Sequence, residues 1–228
     1  MDQAVQRIDR FIKDRMETDK PLVSWALYFF LLNWVTLGIY ALVIFMRRVG
    51  RADGFAERKR NYYESVVAYT KQFAEETGRY DQVRDKLGDI ESQTQAAFTG
   101  SLRPIKAGVS LLLSIVTFGI YGLYVIYRLD AFWWDVQVVE QKFDEAIGQV
   151  WTQLGITRYP ITFQPNQSVR RSFGMYLLLS FVTFGIWGLV WDYRIHTDPD
   201  KLFPEFHSSE DAVLAAVRAA VPEKAATA

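Results

Sequence analysis

The stretch that decides the fold is Ser114-Ile-Val-Thr117-Phe-Gly119-Ile-Tyr121-Gly-Leu123. The chain carries this unit three times. The other two copies are Asn33-Trp-Val-Thr36-Leu-Gly38-Ile-Tyr40-Ala-Leu42 and Ser180-Phe-Val-Thr183-Phe-Gly185-Ile-Trp187-Gly-Leu189. An arginine follows each threonine by eleven residues, at Arg47, Arg128 and Arg194. This agreement indicates duplication of one unit with one structural role.

Each copy lies within a long run of residues that carries no charge. The runs comprise 26 residues between Lys20 and Arg47, 21 between Lys106 and Arg128, and 20 between Arg171 and Asp192. About 20 apolar residues in a helix match the hydrocarbon thickness of a bilayer. Three such runs leave too little polar protein to cover them, so the sequence predicts an integral membrane protein.

The expected fold is all-α, with three repeated hydrophobic helical segments and amphipathic or soluble helices between them. The predicted divisions are 1–20 (N-terminal amphipathic helix), 21–47 (first membrane repeat), 48–103 (soluble helical hairpin), 104–128 (second membrane repeat), 129–170 (amphipathic helix and loop), 171–194 (third membrane repeat) and 195–228 (C-terminal helix and tail).

Helical periodicity places polar and small residues of each copy on two opposite faces. At 100° per residue, the hydroxyl, amide and aromatic positions fall on one line and the glycines on the other side. In lipid, small residues allow close helix approach and hydroxyl groups bond across the contact. We therefore expect these positions to pack helices together or to line a polar path. They are Asn33, Thr36, Gly38, Ser114, Thr117, Gly119, Gly122, Ser180, Thr183, Gly185 and Gly188.

The topology of the segments has two solutions. Each segment either spans the bilayer as one helix or turns back at Thr-x-Gly as a re-entrant hairpin. Basic residues flank both ends of every segment, as hairpins with all flanks on one side would show. A hairpin apex in lipid, however, would expose unpaired backbone groups at several kcal/mol each, so we favour spanning helices.

Arginines at the ends of the segments are expected to contact lipid headgroups, at about 1 kcal/mol per well-placed basic residue on an anionic surface. The residues concerned are Arg47, Arg48, Arg51, Arg128 and Arg194. The expected partner is therefore a lipid bilayer with anionic headgroups. The 26 basic and 26 acidic residues balance, and no folded reading motif accompanies the basic cluster, so nucleic acid is not expected.

The polar parts show helical periodicity. After a predicted linker at Gly50–Gly54, stretches at 55–76 and 80–98 are divided at Gly78 and suit a helical hairpin or a partner surface. A further helix is predicted to start near Ser208 with a capping box, and the last residues, 223–228, to be disordered.

Catalysis is not expected. The chain has no cysteine, no phosphate loop and no nucleophile motif, and no cofactor is predicted. Five residues near the third segment could supply metal ligands, but their spacing fits no established pattern, and no metal site is predicted. They are His196, Asp198, Asp200, Glu205 and His207.

The segment at 114–128 resembles the signature of an uncharacterised family of small prokaryotic membrane proteins, a domain of unknown function with repeated Thr-x-Gly-Ile-Tyr-Gly units ending in arginine. The resemblance is good over 105–130 and 173–195, and looser over 25–48, where Ala41 replaces the second glycine. It implies a location in the cell membrane of a bacterium or archaeon, and no activity.

Three functions remain open. The first is a non-enzymatic structural or scaffolding protein of the membrane, for which a homo-oligomer is one option. If the segments are hairpins, such a protein would also shape the membrane. The second is a channel or transporter subunit with Thr36, Thr117 and Thr183 lining a path. The third is an accessory subunit that docks a partner through 55–98.

Overall fold

A computed structural model describes residues 2–158 and 161–220, and this part of the chain is all-helical. A π-helical turn at Tyr28–Leu32 joins α3 to α4, and Gln167–Val169 forms a 3-10 turn. The α-helices are α1 (Asp2–Lys13), α2 (Arg15–Thr18), α3 (Trp25–Leu27), α4 (Asn33–Val35), α5 (Ile39–Glu76), α6 (Tyr80–Thr99), α7 (Ala107–Val116), α8 (Ile120–Leu154), α9 (Phe173–Val182) and α10 (Ile186–Ala220).

Each hydrophobic segment folds back on itself as a helical hairpin. The helix breaks at 36–38, 117–119 and 183–185, where two successive residues take positive φ angles. The first leg of each hairpin is short, and the second leg is the start of α5, α8 or α10. The preference for spanning helices was therefore wrong. Within the described ranges, no helix combines the length and the apolar run that crossing a bilayer requires.

The three long helices run parallel and in register, with the hairpin turns at one end. Lys59 and Glu140 hold the same place relative to their glycine turns, and so do Thr70 and Trp151. Lys59 Nζ lies 2.7 Å from Glu140 Oε2, and Trp151 Nε1 donates to Thr70 Oγ1 at 2.8 Å. The repeat therefore continues beyond the hydrophobic segment into a pseudo-threefold bundle of α5, α8 and α10.

Each hairpin and the long helix that continues from it form one unit of the structure. The first legs of the hairpins close the three units into a ring. Leg α7 packs on α5 of the first unit, and α3 packs on α10 of the third unit. Phe173 of α9 contacts Tyr127 of α8, with ring centroids 5.2 Å apart. Each first leg thus rests on the long helix of another unit, in cyclic order.

Other segments fill the grooves between the long helices. Helix α1 packs on α5 and α10 and buries Ile8 and Ile12, while α6 packs on α5 and α8. In the third groove, Phe163 stacks on Phe206 with ring centroids 4.9 Å apart, and the backbone N–H of Asn166 donates to Gln137 Oε1 at 2.7 Å. Burial of these apolar faces supplies the main stabilising term of the bundle.

The predicted helices at 55–76 and 80–98 with their break at Gly78 are confirmed as the end of α5 and as α6. The predicted linker was wrong, because Gly50 and Gly54 lie inside α5. The predicted helix start at Ser208 was also wrong, because α10 continues through Pro199 and Pro204. Pro199 is buried within this helix.

The divisions drawn at 47/48, 128/129 and 194/195 fall inside α5, α8 and α10. Each hydrophobic leg and the polar helix after it are therefore one continuous helix. The tail at 223–228 lies outside the described residues.

Candidate functional site: the apolar surface of three hairpins

The turn of the second hairpin is a Schellman motif. Phe118 N–H donates to the carbonyl of Ile115 at 3.1 Å, and Gly119 N–H donates to that of Ser114 at 2.7 Å. These are the two backbone bonds by which such a motif ends a helix. Phe118 (φ 50°) and Gly119 (φ 89°) both occupy the left-handed region, which only glycine adopts without steric cost.

The threonine hydroxyl joins the two legs across the turn. Thr117 Oγ1 donates to the carbonyl of Leu113 at 2.7 Å and accepts the N–H of Tyr121 at 2.9 Å. It thus satisfies one group at the end of the first helix and one at the start of the second. The spacing Thr-x-Gly-Ile-aromatic has a geometric reason, since the hydroxyl must precede the capped N–H by four residues.

The other two turns repeat this geometry. Thr36 and Thr183 each donate to the carbonyl four residues earlier at 2.7 Å and accept the N–H four residues later at 2.9 Å. Gly38 and Gly185 donate to the carbonyls of Asn33 and Ser180 at 2.8 and 2.7 Å. One local structure therefore occurs three times.

These bonds remove the objection that sequence reasoning raised against hairpins. In the second turn the N–H groups of residues 117–121 all have acceptors, four on the backbone and one on the threonine hydroxyl. The cost of unpaired donors in an apolar medium does not arise for them. The sequence argument failed because it assumed unpaired groups at the apex and left out both the backbone bonds of the turn and the threonine hydroxyl.

The predicted arrangement of two opposite faces on an unbroken helix was also wrong, since the helix reverses between them. Serine and glycine instead face each other between the two legs of one hairpin. A Cβ on Gly122 would lie 3.5 Å from Ser114 Oγ, and one on Gly188 would lie 3.6 Å from Ser180 Oγ. In the first hairpin the corresponding residues are Ala41 and Asn33.

Apolar side chains cover the outside of the hairpins. The apex residues Leu37, Phe118 and Phe184 are 92%, 98% and 98% exposed. Among the described residues, every exposed large hydrophobic side chain other than Met16 belongs to a hairpin. Soluble proteins rarely expose a contiguous apolar patch of more than a few hundred Å², and a larger one marks an interaction surface.

The legs of the hairpins have a defined length. Helices α7 and α9 have ten residues each, which corresponds to about 15 Å at 1.5 Å per residue. This is about half of the 30 Å hydrocarbon core of a bilayer.

The five arginines expected near headgroups divide into two groups. Arg47, Arg128 and Arg194 lie at equivalent places at the base of the hairpins. Arg47 is exposed, Arg128 donates to the carbonyls of residues 101 and 103, and Arg194 donates to the hydroxyl of Tyr176 at 2.7 Å.

Arg48 and Arg51 are instead engaged inside the protein. Arg48 pairs with Asp192 at 2.5 Å, and Arg51 pairs with Asp200 at 2.7 Å with only 4% of its side chain exposed. Both pairs join α5 to α10. Sequence reasoning missed this role because the acidic partners lie some 144–149 residues away along the chain.

A buried ionic cluster occupies the bundle further from the hairpins. Lys59 is fully buried and lies 2.7 and 2.8 Å from carboxylate oxygens of Glu140 and Glu210. Tyr63 donates to Glu140, and burial together with that carboxylate raises the pKa of its phenol well above 10. Burial and the nearby Glu140 raise the pKa of Asp144 to about 8. Lys59 and Glu140 lie at the same distance along the chain from the turn glycine of their repeats, Gly38 and Gly119. This equivalence was the one signal in the sequence for their contact.

The five residues considered as metal ligands in the sequence do not come together at one point. His207 bonds Asp19 at 2.7 Å, while Asp198 pairs with Arg171 and Lys201. Over residues 2–158 and 161–220, no group of three or more potential ligands has the geometry to hold a metal ion.

A family described as a domain of unknown function (DUF4234) matches residues 171–219. The matched region covers the third hairpin and nearly all of α10, which is one of the three structural units. This fits the uncharacterised family that the repeated segment resembled. No curated protein and no solved structure matches the chain.

Proposed function

We propose that the chain is a non-enzymatic membrane scaffold that inserts its three hairpins into a single leaflet. The observation that carries the proposal is the apolar exterior of the hairpins, with three fully exposed apex residues at one end of the molecule. Fully burying such a side chain contributes about 1.5–3 kcal/mol. The legs, at about 15 Å, have the depth of one leaflet.

The bundle would then lie at the membrane surface, on the side from which the hairpins enter. Arg47, Arg128 and Arg194 at the hairpin bases would face the headgroup region and favour anionic lipids. Three hairpins that displace lipid in one leaflet only would enlarge that leaflet, which supports a membrane-shaping role. The hairpins pack against one another within one chain, so the proposal does not require a homo-oligomer.

The topology test uses the absence of native cysteine. Single cysteines replace four exposed residues that precede, separate or follow the hairpins: Lys13, Asp81, Gln149 and Ala215. In sealed vesicles of known orientation, a membrane-impermeant thiol reagent should label all four from the same side. Labelling that alternates between the two sides would overturn the proposal.

Membrane shaping is tested by adding the protein to large anionic vesicles and imaging them by electron microscopy. We expect tubules or small vesicles at high protein density. Vesicles that stay spherical at full binding would leave the scaffold without a shaping role.

A channel is less well supported by the geometry. The hydroxyls of Thr36, Thr117 and Thr183, which would line a path, each make two backbone hydrogen bonds in the turns. Unchanged ion flux after replacement of all three by serine and by valine would argue against a channel altogether.

Docking of a partner through 55–98 is a second candidate, favoured by an open groove between α5 and α6. The groove has a volume of about 390 Å³ and is lined by Tyr63, Glu91, Thr94 and Phe98, among others. A Thr94→Trp variant would fill the groove. If every copurifying protein stays bound to this variant, docking at this groove is excluded.

A further inference from the structure

A cavity lies where the second legs of the three hairpins meet. Its volume is about 190 Å³, and each unit contributes to its wall. The first unit supplies Ala41 and Arg48, the second Ile126, and the third Gly188 and Ile195. The cavity therefore lies between the units, near the pseudo-threefold axis of the ring.

The cavity follows the axis of the helices. Its wall runs along α5 from Ala41, near the turn, to Arg48, which is seven residues and about 10 Å further. Its direction and its mostly apolar wall match an extended alkyl chain that enters from the level of Arg48.

The wall is mostly apolar, with a charged pair at the end far from the turns. Arg48 Nη1 pairs with Asp192 Oδ1 at 2.5 Å, and Arg48 Nη2 lies 3.1 Å from His196 Nδ1. The cavity therefore has the Arg48–Asp192 pair at the end that lies far from the turns and apolar side chains along most of the rest of its wall.

The polar end carries no net charge. Arg48 and Asp192 neutralise each other, and burial followed by the charge of Arg48 lowers the pKa of His196 to about 4, so that this imidazole is neutral at pH 7. A free ion would therefore gain little. A neutral group with an acceptor oxygen matches this end of the cavity.

The depth of Arg48 adds a further constraint. Arg48 lies ten residues after the turn glycine Gly38, which is about 15 Å along the helix. This distance equals the thickness of the hydrocarbon of one leaflet. Under the proposed insertion, Arg48 lies at the boundary between hydrocarbon and headgroups. The ester carbonyls of glycerolipids lie at this boundary, directly outside the cavity.

We propose that the cavity holds one acyl chain of a glycerolipid from the same leaflet, whose ester carbonyl lies at the level of Arg48. The inference rests on the proposed insertion into one leaflet. The occupied protein would hold one lipid per chain, with the acyl chain between the units and the headgroup at the hairpin bases.

The probe is a phosphatidylglycerol with a photoactivatable diazirine in one acyl chain, added to vesicles that carry the full-length protein. After irradiation, mass spectrometry should locate crosslinks on cavity residues such as Ala41 and Ile126. An Ile126→Trp variant, which fills the cavity, should lower those crosslinks about ten-fold, equivalent to about 1.4 kcal/mol of binding free energy. The matched control is Leu123→Trp, an exposed position on the same helix.

Arg48→Lys tests the polar end of the cavity, because lysine keeps the positive charge beside Asp192 and lacks the guanidinium group. It should lower the cavity crosslinks and leave vesicle binding intact. Vesicle flotation is measured for every variant. Equal crosslinking in Ile126→Trp and Leu123→Trp, with flotation retained, would overturn the inference and leave the membrane scaffold standing. Loss of flotation by the unmodified protein would instead overturn the scaffold itself.

Discussion

The hairpin half and the bundle half of the molecule share the same three helices and have opposite polarity. In the bundle half, apolar side chains face inward and surround a buried ionic cluster, while charged side chains face outward. In the hairpin half, serine hydroxyls bond within the first legs, threonine hydroxyls bond across the turns, and the apolar side chains face outward. The change occurs at the level of Arg47, Arg128 and Arg194.

This difference shows that one helix can serve two environments without a break. Helix α5 begins in the apolar surface at Ile39 and ends in the polar bundle at Glu76. A continuous helix transmits position rigidly, so the bundle fixes the hairpins relative to one another. The following substitutions act on one half and should spare the other.

The largest effect is expected from a charge at all three apices. Replacing Leu37, Phe118 and Phe184 by aspartate removes side chains worth about 1.5–3 kcal/mol each when buried, so vesicle binding should weaken by about 5 kcal/mol or more. The free energy of unfolding of the bundle should stay the same. Flotation and chemical denaturation measure the two quantities. Met16→Asp is the control, since Met16 is an exposed apolar side chain outside the hairpins; equal loss of binding in this control would contradict insertion through the hairpins.

The second effect concerns the bundle alone. Lys59→Met leaves Glu140 and Glu210 buried without their shared cation, which should lower the free energy of unfolding by about 3–5 kcal/mol. The control is Arg60→Ala, at the residue next to Lys59 in the sequence. It removes an exposed ion pair with Glu64 and should lower the free energy of unfolding by under about 1 kcal/mol. Urea unfolding compares the two variants, and equal midpoints would show that the cluster contributes no stability.

The third effect separates two glycines of one hairpin. Gly119 has a φ of 89°, so Gly119→Ala should cost about 1–2 kcal/mol through backbone strain. Gly122 lies in a helix, and its added Cβ would make an ordinary contact at 3.5 Å, so Gly122→Ala should be neutral or stabilising. Thermal unfolding in detergent measures both. If Gly122→Ala lowers stability more than Gly119→Ala, the packing between the two legs limits the hairpin more than the backbone strain of the turn does.

The fourth effect is a change in the way the free energy of unfolding depends on pH. The folded-state pKa of Asp144, raised to about 8 by burial and by Glu140, exceeds the unfolded value near 4. Between these values the folded chain holds a proton that the unfolded chain releases, so this group lowers stability as pH rises from about 4 to 8. The Asp144→Asn variant should therefore gain stability relative to the unmodified protein as pH rises through this window. Urea titrations at pH 5 and 8 test this, with Asp89→Asn as the same substitution at an exposed position.

Much of this fold was accessible from the repeat. The three units, the all-helical class, the break at Gly78 and the amphipathic bundle helices follow from periodicity and glycine placement. The hairpin turn did not follow, because the stabilising partner of the Tyr121 N–H is the Thr117 side chain, which a count of backbone bonds leaves out.

The burial of Lys59 was not predicted, because its carboxylate partners lie on α8 and α10, far along the chain. A comparison of equivalent positions along the three long helices would have found one of the two contacts. The cavity beside Arg48 needed the three-dimensional arrangement, since its wall combines residues of all three units.

The cyclic packing of first legs on neighbouring long helices has a consequence for assembly. A chain with a single unit, such as the one at 171–219, would need two further copies to close the same ring, and dilution would dissociate it by mass action. Here peptide bonds join the three units, so the number of units is set by covalent linkage. The ring therefore forms at any concentration, and every single molecule carries all three hairpins.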